Sequence, residues 1–199
     1  VASERAFSYD DETALLVVDV QNDFASPEGS LYVRGGEEVV PVANEEIERA
    51  TSASAPVVYT QDWHPPDTPH FRKDGGIWPV HCVRDTWGSE LRPDLLVRGD
   101  VVRKGTAGED GYSGFSVRDP RTGASAGTIL EEKLRERGIR RIVIAGIATD
   151  YCVKETALDA RRLGFGVIVL RDAIRAVDLE PGDGERALAQ VEASGALVT

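Results

Sequence analysis

Residues 139–170 read IRRIVIAGIATDYCVKETALDARRLGFGVIVL, and this stretch decides the fold. It opens on an apolar, β-branched run (Ile139–Ala145) too short for a helix and bounded by glycines, as a buried strand should be. From Thr149 to Leu163 the period changes. Val153, Ala157 and Ala160 recur at helical spacing on one face, and Gly164 supplies the stop. Phe165–Leu170 is apolar again. Strand, helix and strand in this order make a crossover unit, which requires parallel strands covered by helices.

The same alternation extends in both directions. Thr13–Asp19 (TALLVVD) is a continuous apolar strand ending in a carboxylate. Glu37 to Ser54 is predicted helical, with Val40, Ala43, Ile47 and Ala50 on one face and Pro41 tolerated near the first turn. Pro56–Gln61 and Asp100–Arg103 read as strands, Gly127–Arg137 and Gly184–Glu192 as helices, and Ala196–Val198 as a last short strand. The expectation is one α/β domain over residues 1–199: a three-layer sandwich with a mainly parallel, doubly wound sheet of about six strands.

Residues 62–99 break the pattern. They hold Pro65, Pro66, Pro69 and Pro79, a Gly75-Gly76 pair and no periodicity. They also contain all three tryptophans (Trp63, Trp78, Trp87) and all three histidines of the chain. A loop of that length in a compact domain is usually functional or disordered, and so many aromatic residues argue for function.

The net charge of -11 disfavours nucleic acid, whose phosphates need a basic footprint, and anionic membrane surfaces. No apolar run is long enough to span a membrane. The stretch Val1 to Asp11 carries charges and no apolar core, so it is not expected to be a signal peptide. Two cysteines, Cys82 and Cys152, are too few for a disulfide framework, and a cytoplasmic location is expected.

In parallel α/β sheets ligands bind at the carboxyl ends of the strands. Four predicted strands end there in chemically capable groups: Asp19; Asp62 with His64; Lys104; and the turn leading to Cys152. Singly, each has a plainer explanation. Asp19 could cap a loop, Lys104 could be a surface lysine, and Cys152 could be packing. Together they divide a reaction between them. A cysteine at a helix start is the nucleophile, favoured as thiolate by the helix and the ammonium, while Asp19 carries the proton. Cys82 has no such setting and is read as structural. Asp62 and the three histidines His64, His70 and His81 suit a divalent metal: zinc first, with iron or manganese as alternatives.

At these residues the chain resembles the nicotinamidase/pyrazinamidase family of the isochorismatase-like cysteine hydrolases, from Leu15 to the last helix. VVDVQNDF at 17–24, DWHPPDTPHF at 62–71, WPVHC at 78–82, KGTAGEDGYSGF at 104–115 and GIATDYCV at 146–153 resemble its motifs. The resemblance implies a catalytic set of Asp19, Lys104 and Cys152. It implies one metal ion per chain, held by Asp62, His64 and His81, with His70 matching a fourth ligand that only some members contribute. It further implies a cis bond between Ile147 and Ala148, an oxyanion hole from the N–H groups of Ala148 and Cys152, and a ring pocket lined by Phe24, Trp78 and Tyr112. The acidic stretch Gly108–Gly111 is expected at the pocket rim, displacing no motif residue.

The implied substrate is a small heteroaryl amide, nicotinamide above all and pyrazinamide with it, converted to acid and ammonia through a cysteine thioester. The runner-up is a related cysteine hydrolase of an N-carbamoyl compound or a lactam. A catalytically inactive metal-loop binding module is disfavoured by the intact Cys-Asp-Lys set. A homo-oligomer remains open.

Overall fold

A computed structural model of the chain describes residues 7–199; the first six residues of the charged N-terminal stretch lie outside it. In chain order the elements are β1 (Thr13–Val18), a one-turn helix α1 (Asn22–Ala25), α2 (Val39–Ser52), β2 (Val57–Asp62) and β3 (Asp100–Lys104). There follow β4 (Ser116–Arg118), β5 (Ser125–Gly127), α3 (Leu130–Glu136), β6 (Arg141–Ile147), α4 (Lys154–Arg162), β7 (Gly166–Arg175), α5 (Asp183–Ala193) and β8 (Leu197–Val198). The main sheet has six strands in the order β3-β2-β1-β6-β7-β8, and every pairing is parallel.

β1 shows why its sequence is apolar without alternation. Leu15 and Val17 face one core with Val40, Ala43 and Ile47 of α2, while Ala14, Leu16 and Val18 face a second core beneath α3, α4 and α5. A strand buried on both faces has no polar side to show. The result is the expected three-layer sandwich. Gly138 and Gly164 end α3 and α4 with φ of 72° and 85°, the left-handed conformation that glycine adopts without a Cβ penalty.

The structure departs from the sequence expectations in four places. The helix expected from Gly127 starts at Leu130, because Ser125–Gly127 pairs antiparallel with Ser116–Arg118 in a hairpin. The helix expected from Thr149 opens with a wide π-type turn over Thr149–Val153, and α4 begins after it. β7 runs ten residues instead of ending at Leu170, resuming its pairing with β6 beyond an irregularity between Ile144 and Gly146. The turn Asn22–Ala25 was not expected at all. No helix among the described residues is long and apolar enough to cross a membrane.

Residues 62–99 hold no long regular element. They are anchored by single bridges, His64 to Val83 and Phe71 to Trp78. Gln21 adds three buried hydrogen bonds: its side-chain amide donates to the carbonyls of Asp62 and Ser89, 2.8 Å each, and its Oε1 accepts from Asp62 N at 2.8 Å. These bonds place the loop over the carboxyl ends of β1 and β2, because they satisfy backbone groups that the sheet leaves unpaired there.

Candidate active site

Parallel pairing brings the chain ends of β1, β2, β3 and β6 to one edge, and the predicted residues meet there. Asp19 follows β1 in a left-handed conformation (φ 49°) and is fully buried. Its Oδ1 accepts a 2.6 Å hydrogen bond from the Thr60 hydroxyl on β2, and its Oδ2 lies 2.7 Å from Lys104 Nζ. Lys104, at the end of β3, also contacts Asp62 and the Gly111 carbonyl, and its Nζ is 3.8 Å from Cys152 Sγ. Oxygens of Asp19 and Asp62 and the Cys152 sulfur lie within 4.8 Å of one another.

The electrostatics follow from burial. Desolvation pushes the Asp19 carboxyl up to about 6, against the pull of Lys104 and with help from the Asp62 charge. Burial works in the same direction on Asp62, but Lys104 and His64 overcome it and hold that carboxyl well below the ordinary range. For Lys104, burial opposes the charge, and Asp19, Asp62 and Cys152 outweigh it, so the ammonium is held above its ordinary value. The Cys152 thiol departs from the sequence expectation. Burial pushes it well up, Lys104 pulls it down less, and the two carboxylates push it further up. Cys152 lies in the wide turn that leads into α4. Attack by this sulfur therefore calls for a base, and Asp19 is the carboxylate beside it.

His64, His70 and His81 each offer a ring nitrogen, all within 4.8 Å of one another and all buried. His81 Nδ1 lies 2.7 Å from the Pro79 carbonyl, so Nδ1 carries the proton and Nε2 is left with a free lone pair. His70 Nδ1 lies 2.6 Å from Asp110 Oδ1, which fixes its tautomer in the same way. Neither ring nitrogen of His64 has a hydrogen-bond partner, though both are buried; its Nε2 is 3.7 Å from Asp62 Oδ2. Burial lowers the His81 pKa to about 4, keeping the imidazole neutral. Orphaned imidazole nitrogens converging beside a carboxylate have the chemistry of a divalent-metal donor set. Asp62 joins the two groups, since one oxygen meets Lys104 and the other faces His64.

A cavity opens between the nucleophile and the histidines, with Cys152, Asp62, His70 and His81 in its wall. Phe24, Trp78 and Tyr112 are among the residues that line it. Trp78 Nε1 donates to the Tyr112 hydroxyl at 2.9 Å. The Ile147–Ala148 bond is cis, as the family resemblance implies, and Ala148 sits on the wall beside Cys152.

Several lining residues escaped the sequence reading. Leu31, Val33 and Val177 come from loops distant in sequence, and nothing local marks them. Tyr151, packed edge-on against Trp78 at 4.8 Å, is adjacent to the nucleophile and could have been found from that position alone. Thr60 had no local mark of its own, since β2 also holds Tyr59, Gln61 and Asp62. Asp150 accepts hydrogen bonds from Val177 N and Asp178 N (2.9 and 2.8 Å), tying the nucleophile turn to the loop that carries Val177. Asp110 lies deeper than the rim expected for its stretch, because a backbone pairing with Arg118 turns it inward.

Comparison with known proteins agrees with this geometry. Residues 13–199 match the isochorismatase domain. The chain is 37% identical over 202 residues to the nicotinamidase of Escherichia coli K12, covering 92% of each. Among solved structures, the pyrazinamidase of Pyrococcus horikoshii in complex with zinc superposes with a TM-score of 0.84 at 41% identity, over 94% of this chain and 98% of that one. PnC1 from L. infantum in complex with nicotinate superposes with a TM-score of 0.87 at 34% identity, over 97% and 95%. The chain therefore belongs to the isochorismatase-domain family and, within it, to the nicotinamidase/pyrazinamidase amidohydrolases.

Proposed function

We propose that this chain hydrolyses nicotinamide, and pyrazinamide with it, to the carboxylic acid and ammonia through a thioester on Cys152. The observation that carries the reading is the meeting of Cys152 with Asp19 and Lys104 beside a cavity that Cys152, Asp62, His70 and His81 line, with His64 next to the other two histidines.

Asp19, whose raised carboxyl still ionises near neutrality, takes the Cys152 proton as the sulfur attacks the amide carbon. The carbonyl oxygen gains the electron pair and is held by the N–H groups of Ala148 and Cys152. Asp19 returns the proton to the amide nitrogen, the C–N bond breaks, and ammonia leaves. Water then attacks the thioester carbon, giving a proton to Asp19, and the C–S bond breaks with the proton restored to sulfur. Lys104 keeps Asp19 and Asp62 from repelling one another and balances the negative charge that passes between sulfur, oxygen and carboxylate. Asp62, His64, His70 and His81 are the residues that would hold the divalent ion. Zinc leads, since a relative carries it, and iron or manganese also suit these donors. Bound there, the ion would supply a Lewis-acid contact for the ring nitrogen and so orient the amide. Phe24, Trp78 and Tyr112 would sandwich the ring.

The deciding experiment is ammonia release from nicotinamide by purified protein, with and without a strong chelator. Turnover that the chelator abolishes and zinc restores is expected. Hydrolysis of an N-carbamoyl amide or lactam with none of nicotinamide would refute the substrate assignment.

A further inference from the structure

Among the groups that the proposed mechanism leaves unused, Asp110 has the most specific placement. It belongs to the acidic stretch between Lys104 and Tyr112, and its side chain is only 14% exposed. Its backbone is fixed independently of its carboxylate: Asp110 N donates to the Arg118 carbonyl at 2.8 Å, and Arg118 N donates back at 3.0 Å. The preceding turn is tied to the metal loop by the Thr68 hydroxyl, which donates to the Gly108 carbonyl at 2.8 Å. The segment is thus held on both sides of Asp110, and the carboxylate is aimed at one atom, His70 Nδ1, 2.6 Å away.

A carboxylate can only accept, so His70 Nδ1 donates to it, and the neutral ring that makes this bond presents its lone pair at Nε2. The ring stacks on His64 with centroids 4.7 Å apart and lies 5.4 Å from His81, which places it inside the histidine cluster. His81 gets the same service from a neutral acceptor, the Pro79 carbonyl, and His64 from none. His70 is therefore the one imidazole of the three with a carboxylate at hydrogen-bond distance, since Asp62 Oδ2 stands 3.7 Å from His64 Nε2. An anion behind an imidazole makes its free nitrogen a stronger donor as well as fixing its orientation.

We propose that Asp110 is a positioning residue that makes His70 a ligand of the divalent ion, acting through Nδ1 without touching the ion or the substrate. The proposal rests on the metal site inferred above. It accounts for a fourth ligand supplied from the middle of an irregular loop, where the backbone alone would leave the ring free to rotate.

The test is zinc affinity of the intact chain, measured by competition with a chromophoric chelator, together with the visible spectrum of the cobalt-substituted protein. Asp110→Ala should weaken zinc binding by about 10- to 100-fold and shift the cobalt bands, because a ligand loses its partner. Asp110→Asn, which keeps an acceptor without the charge, should lose less than the alanine variant. In a His70→Ala background, Asp110→Ala should change affinity by less than about twofold, since a residue acting only through His70 has nothing left to act on. Equal zinc affinity in wild type and Asp110→Ala would overturn the proposal, as would an equal loss in both backgrounds. A wild-type chain that binds no zinc or cobalt would instead strike the metal site itself, so the two failures are distinct.

Discussion

Thr60→Val is the substitution that tests the assignment of Asp19 as proton carrier most directly. Valine matches threonine in shape and suits a central strand, so β2 should be retained. What disappears is the 2.6 Å hydrogen bond from the Thr60 hydroxyl to Asp19 Oδ1, between two fully buried side chains with no solvent to replace it. A hydrogen bond to a charged group is worth about 1.5–3 kcal/mol. At 1.36 kcal/mol per unit, its loss should raise the carboxyl by about one to two units. Asp19 already stands at about 6, through burial set against Lys104. The acid limb of kcat/KM should therefore move up to about pH 7–8 in the variant, because the base works only when ionised. At pH 6 nicotinamide turnover should fall about 5- to 50-fold, and near pH 9 by less than about threefold. The sign for stability is consistent. The lost bond favoured the ionised form, so the deficit of the variant should be small at pH 4 and grow as pH rises through the folded-state value. The assay is ammonia release across pH 5–9, with thermal melts at both ends. An acid limb that stays in place, with a uniform drop at every pH, would refute Asp19 as the titrating base.

Cys152→Ala should abolish ammonia release while keeping the fold. Cys82→Ala should retain activity of the same order, since Cys82 is buried with its sulfur 3.8 Å from the Gly88 carbonyl and away from the cavity; near-wild-type turnover by the Cys152 variant would exclude covalent catalysis. His64→Ala should reduce kcat/KM for nicotinamide by about two to three orders of magnitude and narrow the nicotinamide-to-benzamide ratio, because only the first substrate has a ring nitrogen to be positioned. An unmoved ratio would mean that the ion does not orient the ring. Gly146→Ala should destabilise the chain by more than about 3 kcal/mol in denaturant melts, since φ is 127° and a Cβ would overlap the Val18 backbone in the neighbouring strand. A loss below 1 kcal/mol would show that β1 and β6 can separate there at little cost.

Much of this protein is legible in its sequence because the relevant signals are local. The unbroken apolar runs of β1 and β6 report burial on two faces, the spacing of Val153, Ala157 and Ala160 reports a helix, and the glycines at 138 and 164 report where helices stop. The rule that parallel strands deliver their carboxyl ends to one edge then sufficed to group Asp19, Asp62, Lys104 and Cys152, and the structure brings them within contact of one another. Clustering of every histidine in one loop makes a candidate donor set legible in the sequence, and the three rings do converge.

Tertiary structure alone decided the rest, and in each case the cause is an interaction between segments far apart in the chain. The Cys152 thiol is raised because burial and two carboxylates outweigh Lys104, a balance that depends on distances across three strands. Thr60 becomes the partner of Asp19 only through the register that aligns β2 with β1. Leu31, Val33 and Val177 become pocket walls because two separate loops close over one strand edge. Asp110, an unremarkable member of an acidic stretch, faces His70 because a single backbone bridge to Arg118 turns it inward. Periodicity and turn chemistry are encoded within a few residues; partners, burial and the fields they create exist only once distant segments have packed.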